Sequence, residues 1–363
     1  MKRKIPVFIF ATLLLFSCEK DNVEIESQWS YSEKLSVKDV FYGKAFNACS
    51  IDGNEMLLLS PDKFIRVDNS EKIIEERTVD TKNFMPNYKG GFLSKDFYVL
   101  ANYLKLSTES KVDSLQFDFY STKKDNLLPK SINTNIFPNS DIYGYQIKPF
   151  FEYGHEYKYF AVNSSGQIGI IVTSYRRNQP KDQGGIHHLA IIDLNINQEG
   201  IDPKFNRLID INDLAWNKKI YNIKAIGKNF FISTSGNGTY FVKPTGEIAN
   251  FENNKAVFGK EDIIYQFGEK QIEQSVDCRE WKWSMNIDFD YVFEVDAIDN
   301  KIIDYSSATN MTSYSLSDFT EKKLVSKGLP NGRTYFIKEF NSKIYIGFWN
   351  GGIYSIPKEK FIQ

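Results

Sequence analysis

Lys343-Ile-Tyr-Ile-Gly-Phe-Trp-Asn-Gly-Gly-Ile-Tyr-Ser-Ile-Pro357 sets two short runs of β-branched and aromatic residues on either side of Asn350-Gly351. Asn-Gly readily takes the positive φ angles of a tight turn, so the stretch predicts a β-hairpin. Moved back along the chain, the pattern finds an ungapped partner at Asn229-Phe-Phe-Ile-Ser-Thr-Ser-Gly-Asn-Gly-Thr-Tyr-Phe-Val-Lys243. Each hairpin is preceded by a further strand and a tight turn, residues 335–340 before Asn341-Ser342 and 221–226 before Gly227-Lys228. That order is a meander.

The same strand, turn, strand order recurs at 47–51 and 56–59 around Asp52-Gly53-Asn54, and at 91–93 and 97–101 around Ser94-Lys95-Asp96. It recurs again at 159–162 and 168–173, and at 255–258 and 263–267 around Gly259-Lys260-Glu261. Third strands follow at 64–67, 117–120, 189–192, 240–242, 292–295 and 353–356, giving six copies. Radial repetition of four-stranded meanders is the signature of a β-propeller, in which only short, protected edges remain. The sequence therefore predicts an all-β, six-bladed β-propeller; seven blades, or a β-sandwich, are the alternatives. Residues 29–37 precede the first copy without a meander of their own, and are expected to close the ring by pairing onto the last blade.

The composition fits. Hydrophobic residues make up 42% of the 363 residues and aromatics 15%, with 29 Phe and 21 Tyr, enough to pack a core rich in strands. The formal charge of −1, from 45 basic and 46 acidic residues, gives no field that would draw the chain to nucleic acid.

The N-terminus reads as an export signal. Lys2-Arg3-Lys4 precedes an apolar run at 5–16, about 12 residues, too short to cross ~30 Å of hydrocarbon. Leu15-Phe16-Ser17-Cys18 resembles the lipobox of bacterial lipoproteins. The resemblance implies lipidation of Cys18, cleavage before it, acylation of the new amino terminus and palmitate-like chains that anchor the protein to a membrane. Two or more acyl chains hold stably where one is marginal. The expected organisation is a signal peptide at 1–17, a lipidated tether at 18–28 and one propeller domain at 29–363. Glu19-Lys20-Asp21-Asn22 is similar to tethers that direct lipoproteins to the outer membrane, surface-exposed or periplasmic. Cys49 and Cys278 would share that oxidising compartment, and their spacing does not settle whether they pair.

Gly328-Leu329-Pro330, Lys343-Ile-Tyr-Ile-Gly347 and Asn350-Gly-Gly-Ile-Tyr354 resemble the propeller repeat of periplasmic sensor domains in hybrid two-component regulators, with Phe348 where that family has Thr. The resemblance implies a propeller fold.

Function is expected on the rim that carries the B-to-C and D-to-A connections, counting strands A to D outward from the axis. The long segments 102–114, 174–185, 268–288, 131–158, 201–220 and 306–332 all map there, and binding residues concentrate in long loops on rigid scaffolds. Two clusters stand out as ligand-binding candidates. Arg176 and Arg177 offer guanidinium forks for carboxylate or phosphate, and His187 and His188 offer imidazoles that titrate near neutral pH. In an extended strand the two histidines face opposite ways and cannot share one metal, so no metal site is assigned. Trp281 and Trp283, within Glu280-Trp-Lys-Trp283, suit stacking on a sugar ring, a peptide or a partner protein. No hydrolase, zinc, P-loop or dinucleotide motif occurs after the signal peptide, so no catalytic residue and no cofactor is named. The expectation is a binding propeller with a glycan or envelope-protein partner; a propeller hydrolase or lyase acting on glycans is the alternative.

Overall fold

Runs such as Met56-Leu-Leu-Leu59 and Ile168-Gly-Ile-Ile-Val172 are buried on both faces, as expected of inner strands packed between neighbouring sheets. The computed structural model describes residues 28–37, 45–60, 62–78, 91–105, 113–123, 129–146, 160–177, 185–197, 200–215, 220–234, 239–251, 256–260, 263–268, 271–275, 280, 282–286, 295–318 and 320–361.

The described residues form seven antiparallel sheets. After a short strand β1 (Ser30–Tyr31), blade one is β2 (Ala48–Asp52), β3 (Glu55–Leu59), β4 (Lys63–Val67) and β5 (Ile73–Thr78). Blade two is β6 (Gly91–Leu93), β7 (Phe97–Lys105), β8 (Asp113–Ser121) and β9 (Lys130–Asn133). Blade three has an additional strand, β10 (Tyr143–Gln146), ahead of β11 (Phe160–Val162), β12 (Gln167–Arg176), β13 (Ile186–Asn197) and β14 (Gly200–Ala215). Blade four is β15 (Ile220–Ile226), β16 (Asn229–Thr234), β17 (Thr239–Val242) and β18 (Ile248–Phe251). Blade five is β19 (Ala256–Lys260), β20 (Ile263–Gly268), β21 (Gln271–Ser275) and β22 (Lys282–Asn286). Blade six is β23 (Val295–Ile298), β24 (Lys301–Asp304), β25 (Thr312–Ser315) and β26 (Glu321–Lys323). Blade seven is β27 (Thr334–Phe340), β28 (Lys343–Phe348) and β29 (Ile353–Pro357), with β1 as its outer strand.

The first strands of successive blades touch in a closed circuit, from β2 through β6, β11, β15, β19 and β23 to β27 and back. The molecule is a seven-bladed β-propeller, and the expectation of six blades is corrected. Residues 295–304 carry the cause: Val295, expected to end a third strand at 292–295, begins the first strand of a new blade, and Asp299-Asn300 is its hairpin turn, with Asp299 at φ 53°. The third strand of that blade is Thr-Ser-Tyr-Ser, buried yet polar, so hydrophobic patterning missed it. Segments 268–288 and 306–332, expected to be loops, contain β21, β22, β25 and β26. Much of the length assigned to loops in blades two and three is likewise strand, in β7, β8, β12 and β14.

The hairpin at 343–357 is present, but Asn350-Gly351 is not a two-residue turn. Gly351 alone takes a positive φ, 82°, and Phe348 N–H bonds to Gly352 O at 2.9 Å, closing a wider loop. The two-residue turn with both φ positive is Asn341-Ser342, between β27 and β28.

Closure is secured by Trp29. β1 pairs with β29, Ser30 opposite Ser355 and Tyr31 opposite Tyr354. Two cross-strand pairs hold little by themselves. Trp29, 2% exposed, adds an Nε1–H bond to Val325 O at 2.7 Å, a backbone bond to Lys327 O at 2.9 Å and an edge-on contact with Phe361 at 5.5 Å. It ties the first strand to blade six and to the terminal turn α1 (Lys358–Phe361). Truncating a buried tryptophan removes its transfer energy and leaves a cavity, so Trp29→Ala is expected to cost about 3–5 kcal/mol. Urea unfolding followed by fluorescence checks this, and an unchanged midpoint would remove Trp29 from the closure.

Candidate functional site

First strands carry their side chains alternately to the two faces of their sheet, against the neighbouring blades. Around the axis of the ring they leave a channel of about 350 Å³, lined mainly by apolar groups that include Phe92, Val162, Ala225, Phe258 and Phe336. Besides Tyr305 and Tyr335, five polar or charged side chains from four blades interrupt this lining: Asn47 and Cys49 of blade one, Lys224 of blade four, Asp296 of blade six and Lys338 of blade seven.

Lys338 Nζ donates to Asp296 Oδ2 across the blade boundary. Burial pulls the Lys338 ammonium toward neutrality, but the Asp296 carboxylate outweighs it and raises the pKa above the ordinary lysine value. Lys338 is therefore a cation at neutral pH. Both side chains keep surface open to the channel, 32% for Lys338 and 27% for Asp296. Cys49 is a free thiol. Burial, only partly offset by Lys338, pushes its pKa up to about 12, so it is an unreactive thiol and not a nucleophile. Asn47 Oδ1 is buried and has no hydrogen-bond partner, an expensive state for an amide oxygen.

A second polar cluster lies in blade three, where β10 pairs with the upper half of β12 and places Tyr145 opposite Ser174. Ser174 Oγ lies 2.6 Å from His188 Nε2, and His188 Nδ1 lies 2.6 Å from Asp210 Oδ1. A carboxylate only accepts, so Nδ1 carries the proton. Burial lowers the His188 pKa below 6.5 against the opposing pull of Asp210, which leaves the ring neutral and Nε2 accepting from the serine hydroxyl. The atoms are connected as in a serine hydrolase triad. Their exposure is the reverse of what catalysis needs. Ser174 is 4% exposed, held between β10 and β13, whereas the Asp210 side chain at the outer strand is 57% exposed. The Tyr145 ring meets the imidazole edge-on at 6.0 Å. This chain of bonds fastens three strands together; it does not present a nucleophile.

The candidates from the sequence fall in different places. His187 and His188 point to opposite faces: His187 Nδ1 lies 2.9 Å from Thr173 Oγ1, while His188 joins Ser174 and Asp210. Arg176 is exposed at the end of β12, and Arg177 donates from Nη2 to Ser140 O and from its backbone to Ile142 O, which pins the connection before β10. Trp283 lies on β22, the outer strand of blade five, opposite Glu273. Trp281, Cys278 and Cys18 lie outside the described residues. Arg176, Arg177, His187 and His188 do not line the axial channel. Lys338, Asp296, Lys224 and Asn47 lie in or beside first strands, and only the closure of the ring brings them to one lumen.

His188 makes stability depend on pH. Its folded pKa lies below the unfolded value of 6.5, so the unfolded chain binds the extra proton and folding weakens as pH falls through that value. The melting temperature of the wild type is expected to fall more steeply between pH 7 and pH 5 than that of His188→Gln. Superimposable acid limbs would show that His188 stays buried without the depressed pKa.

No protein-family model matches the sequence, and no curated protein matches it. Solved structures do. The extracellular domain of BT3049 from B. thetaiotaomicron, classed as a hybrid two-component system, superposes with a TM-score of 0.52 at 14% identity, covering 92% of this chain and 41% of that one. The corresponding domain of BT4673 from the same organism gives 0.50 at 12% identity, covering 90% and 39%. The Neurospora crassa Pan2 WD40 domain gives 0.50 at 9% identity, covering 88% and 91%. The chain thus spans about two fifths of the two extracellular domains and nearly all of the WD40 domain. At these identities the likeness is one of fold, that of a β-propeller.

Proposed function

We propose that the protein is a lipid-anchored propeller of the bacterial cell envelope that binds a small ligand, or a partner's protruding group, in its axial channel. The observation that carries this is the channel: about 350 Å³, mostly apolar walls, a charge pair open to the lumen and a buried acceptor without a donor. That combination is the usual chemistry of a small-molecule site. The anchor is supported by the basic start, the short apolar run and Cys18, which precede the described residues. The tether leading from it would enter the ring at β1.

An enzyme acting on glycans is less well supported. Glycoside hydrolysis uses two carboxylates, and among the described residues the channel lining holds one, Asp296. The polarity of Ser174, His188 and Asp210 favours acyl transfer, but its nucleophile is enclosed.

Two experiments test the proposal. Native mass spectrometry of the full chain equilibrated with a mixture of sugars, sugar acids, amino acids and short peptides is expected to show an adduct that Ala161→Trp, which fills the channel from blade three, abolishes. An adduct that survives the filling would place binding elsewhere. Cys18→Ser is expected to release the protein from the membrane fraction, and unchanged membrane association would refute the lipid anchor.

A further inference from the structure

We propose that the axial channel is built for a small carboxylate that also carries hydroxyl donors, the chemistry of a monosaccharide acid, with Lys338 binding the carboxylate and Asn47 and Asp296 accepting from hydroxyls. This rests on the channel-binding function proposed above and names its ligand class.

Three features define the ligand. Lys338 uses one of its three N–H donors on Asp296 and keeps the remainder toward the lumen, so the site presents a charged donor set to a carboxylate. Asp296 Oδ1 accepts the Ala297 N–H at 2.9 Å and Oδ2 accepts from Lys338, which leaves lone-pair capacity for a hydroxyl. Asn47 Oδ1 is buried without a donor, and a ligand hydroxyl supplies one. Negative charge must therefore meet Lys338, and neutral donors must meet the other two groups.

Charge also selects against the alternatives. An amine would meet the Lys338 ammonium as a like charge. A neutral sugar would satisfy Asn47 and Asp296 and leave the lysine's remaining donors without an anion. A volume of about 350 Å³ with a largely apolar lining suits one ring with ordered water better than a chain of several. The raised pKa of Lys338 keeps it a cation throughout the neutral range.

The test is isothermal titration calorimetry of the full chain in detergent with D-glucuronate, D-glucose and D-glucosamine, which share one ring and differ in charge. Glucuronate is expected to bind at least about tenfold more tightly than the other two, a difference of about 1.4 kcal/mol. Because Lys338→Met alone strands Asp296, the double variant Lys338→Met/Asp296→Leu replaces the pair with apolar groups of similar size and preserves the fold. It is expected to lose the preference for the acid, and Asn47→Ala to weaken glucuronate and glucose alike. Glucose or glucosamine binding as tightly as glucuronate, or an acid preference that survives the double variant, overturns the proposal. If none of the three binds while Ala161→Trp still abolishes a native-spectrum adduct, the ligand class is wrong and the channel is still a binding site. If the adduct survives Ala161→Trp, the channel reading falls as well.

Discussion

Every blade depends on the ring being closed. A four-stranded sheet alone has two bare edges and two faces to cover, and neither is satisfied until a neighbour packs on each side. The faces are covered by continuous apolar packing between blades; one cluster runs from Phe97 and Phe117 of blade two through Ile168 and Leu189 of blade three to Phe230 of blade four. The remaining gap is closed by a strand from the other end of the domain, with β1 beside β29. Trp29 matters because that pairing is so short. It converts a two-residue ladder into a packed joint between blades six and seven.

Polar ties between blades reinforce the packing and set the angle between neighbours. Arg66 of blade one reaches Glu55 and Glu75 in its own sheet and the carbonyl of Thr122 in blade two. Asn341 of blade seven donates to Asn69 O of blade one at 2.6 Å, and Tyr345 donates to Glu71 at 2.8 Å. Asn163 of blade three donates to Lys228 O of blade four at 2.9 Å. Most of these groups are shielded, where a satisfied hydrogen bond is worth keeping and a lost one is costly. The axial channel inherits that rigidity. Its polar groups sit on first strands or immediately before them, so little conformational freedom remains to be lost when a ligand binds.

How much could be read beforehand follows from how each blade hides its core. Blades one, three, four and seven announce themselves because runs such as Met56-Leu-Leu-Leu59 and Ile344-Tyr-Ile346 are apolar on both faces. Blade six does not. Its third strand buries hydroxyls, Ser313 bonding to Lys322 O at 3.3 Å and Thr312 only 2% exposed, and hydroxyls satisfied by a neighbouring strand look like a loop in the sequence. Blade five was shortened for a related reason, since Gln271-Ile-Glu-Gln-Ser275 reads as solvated chain but pairs along both sides. The site was harder still. A histidine pair is conspicuous in sequence, whereas Ser174 and Asp210 become its partners only through the register of β12, β13 and β14. Lys338 and Asp296 are 42 residues apart and meet only because the ring brings first strands together.

That meeting bears on why the pair exists. An ion pair held away from water recovers little more than the desolvation it suffers, and apolar residues of the same volume commonly serve stability as well or better. The channel around Lys338 and Asp296 is otherwise lined largely by Phe, Val, Ile and Ala, so an apolar pair would fit its surroundings. Stability therefore does not explain the two charges, nor the unpartnered amide oxygen of Asn47 in the same channel. The nearby Cys49, whose thiol is held protonated, offers no chemistry that would need them. What the three groups share is access to one lumen, from separate blades, with unused capacity to bind. A rigid ring that keeps such capacity at its centre supports the channel-binding reading proposed above.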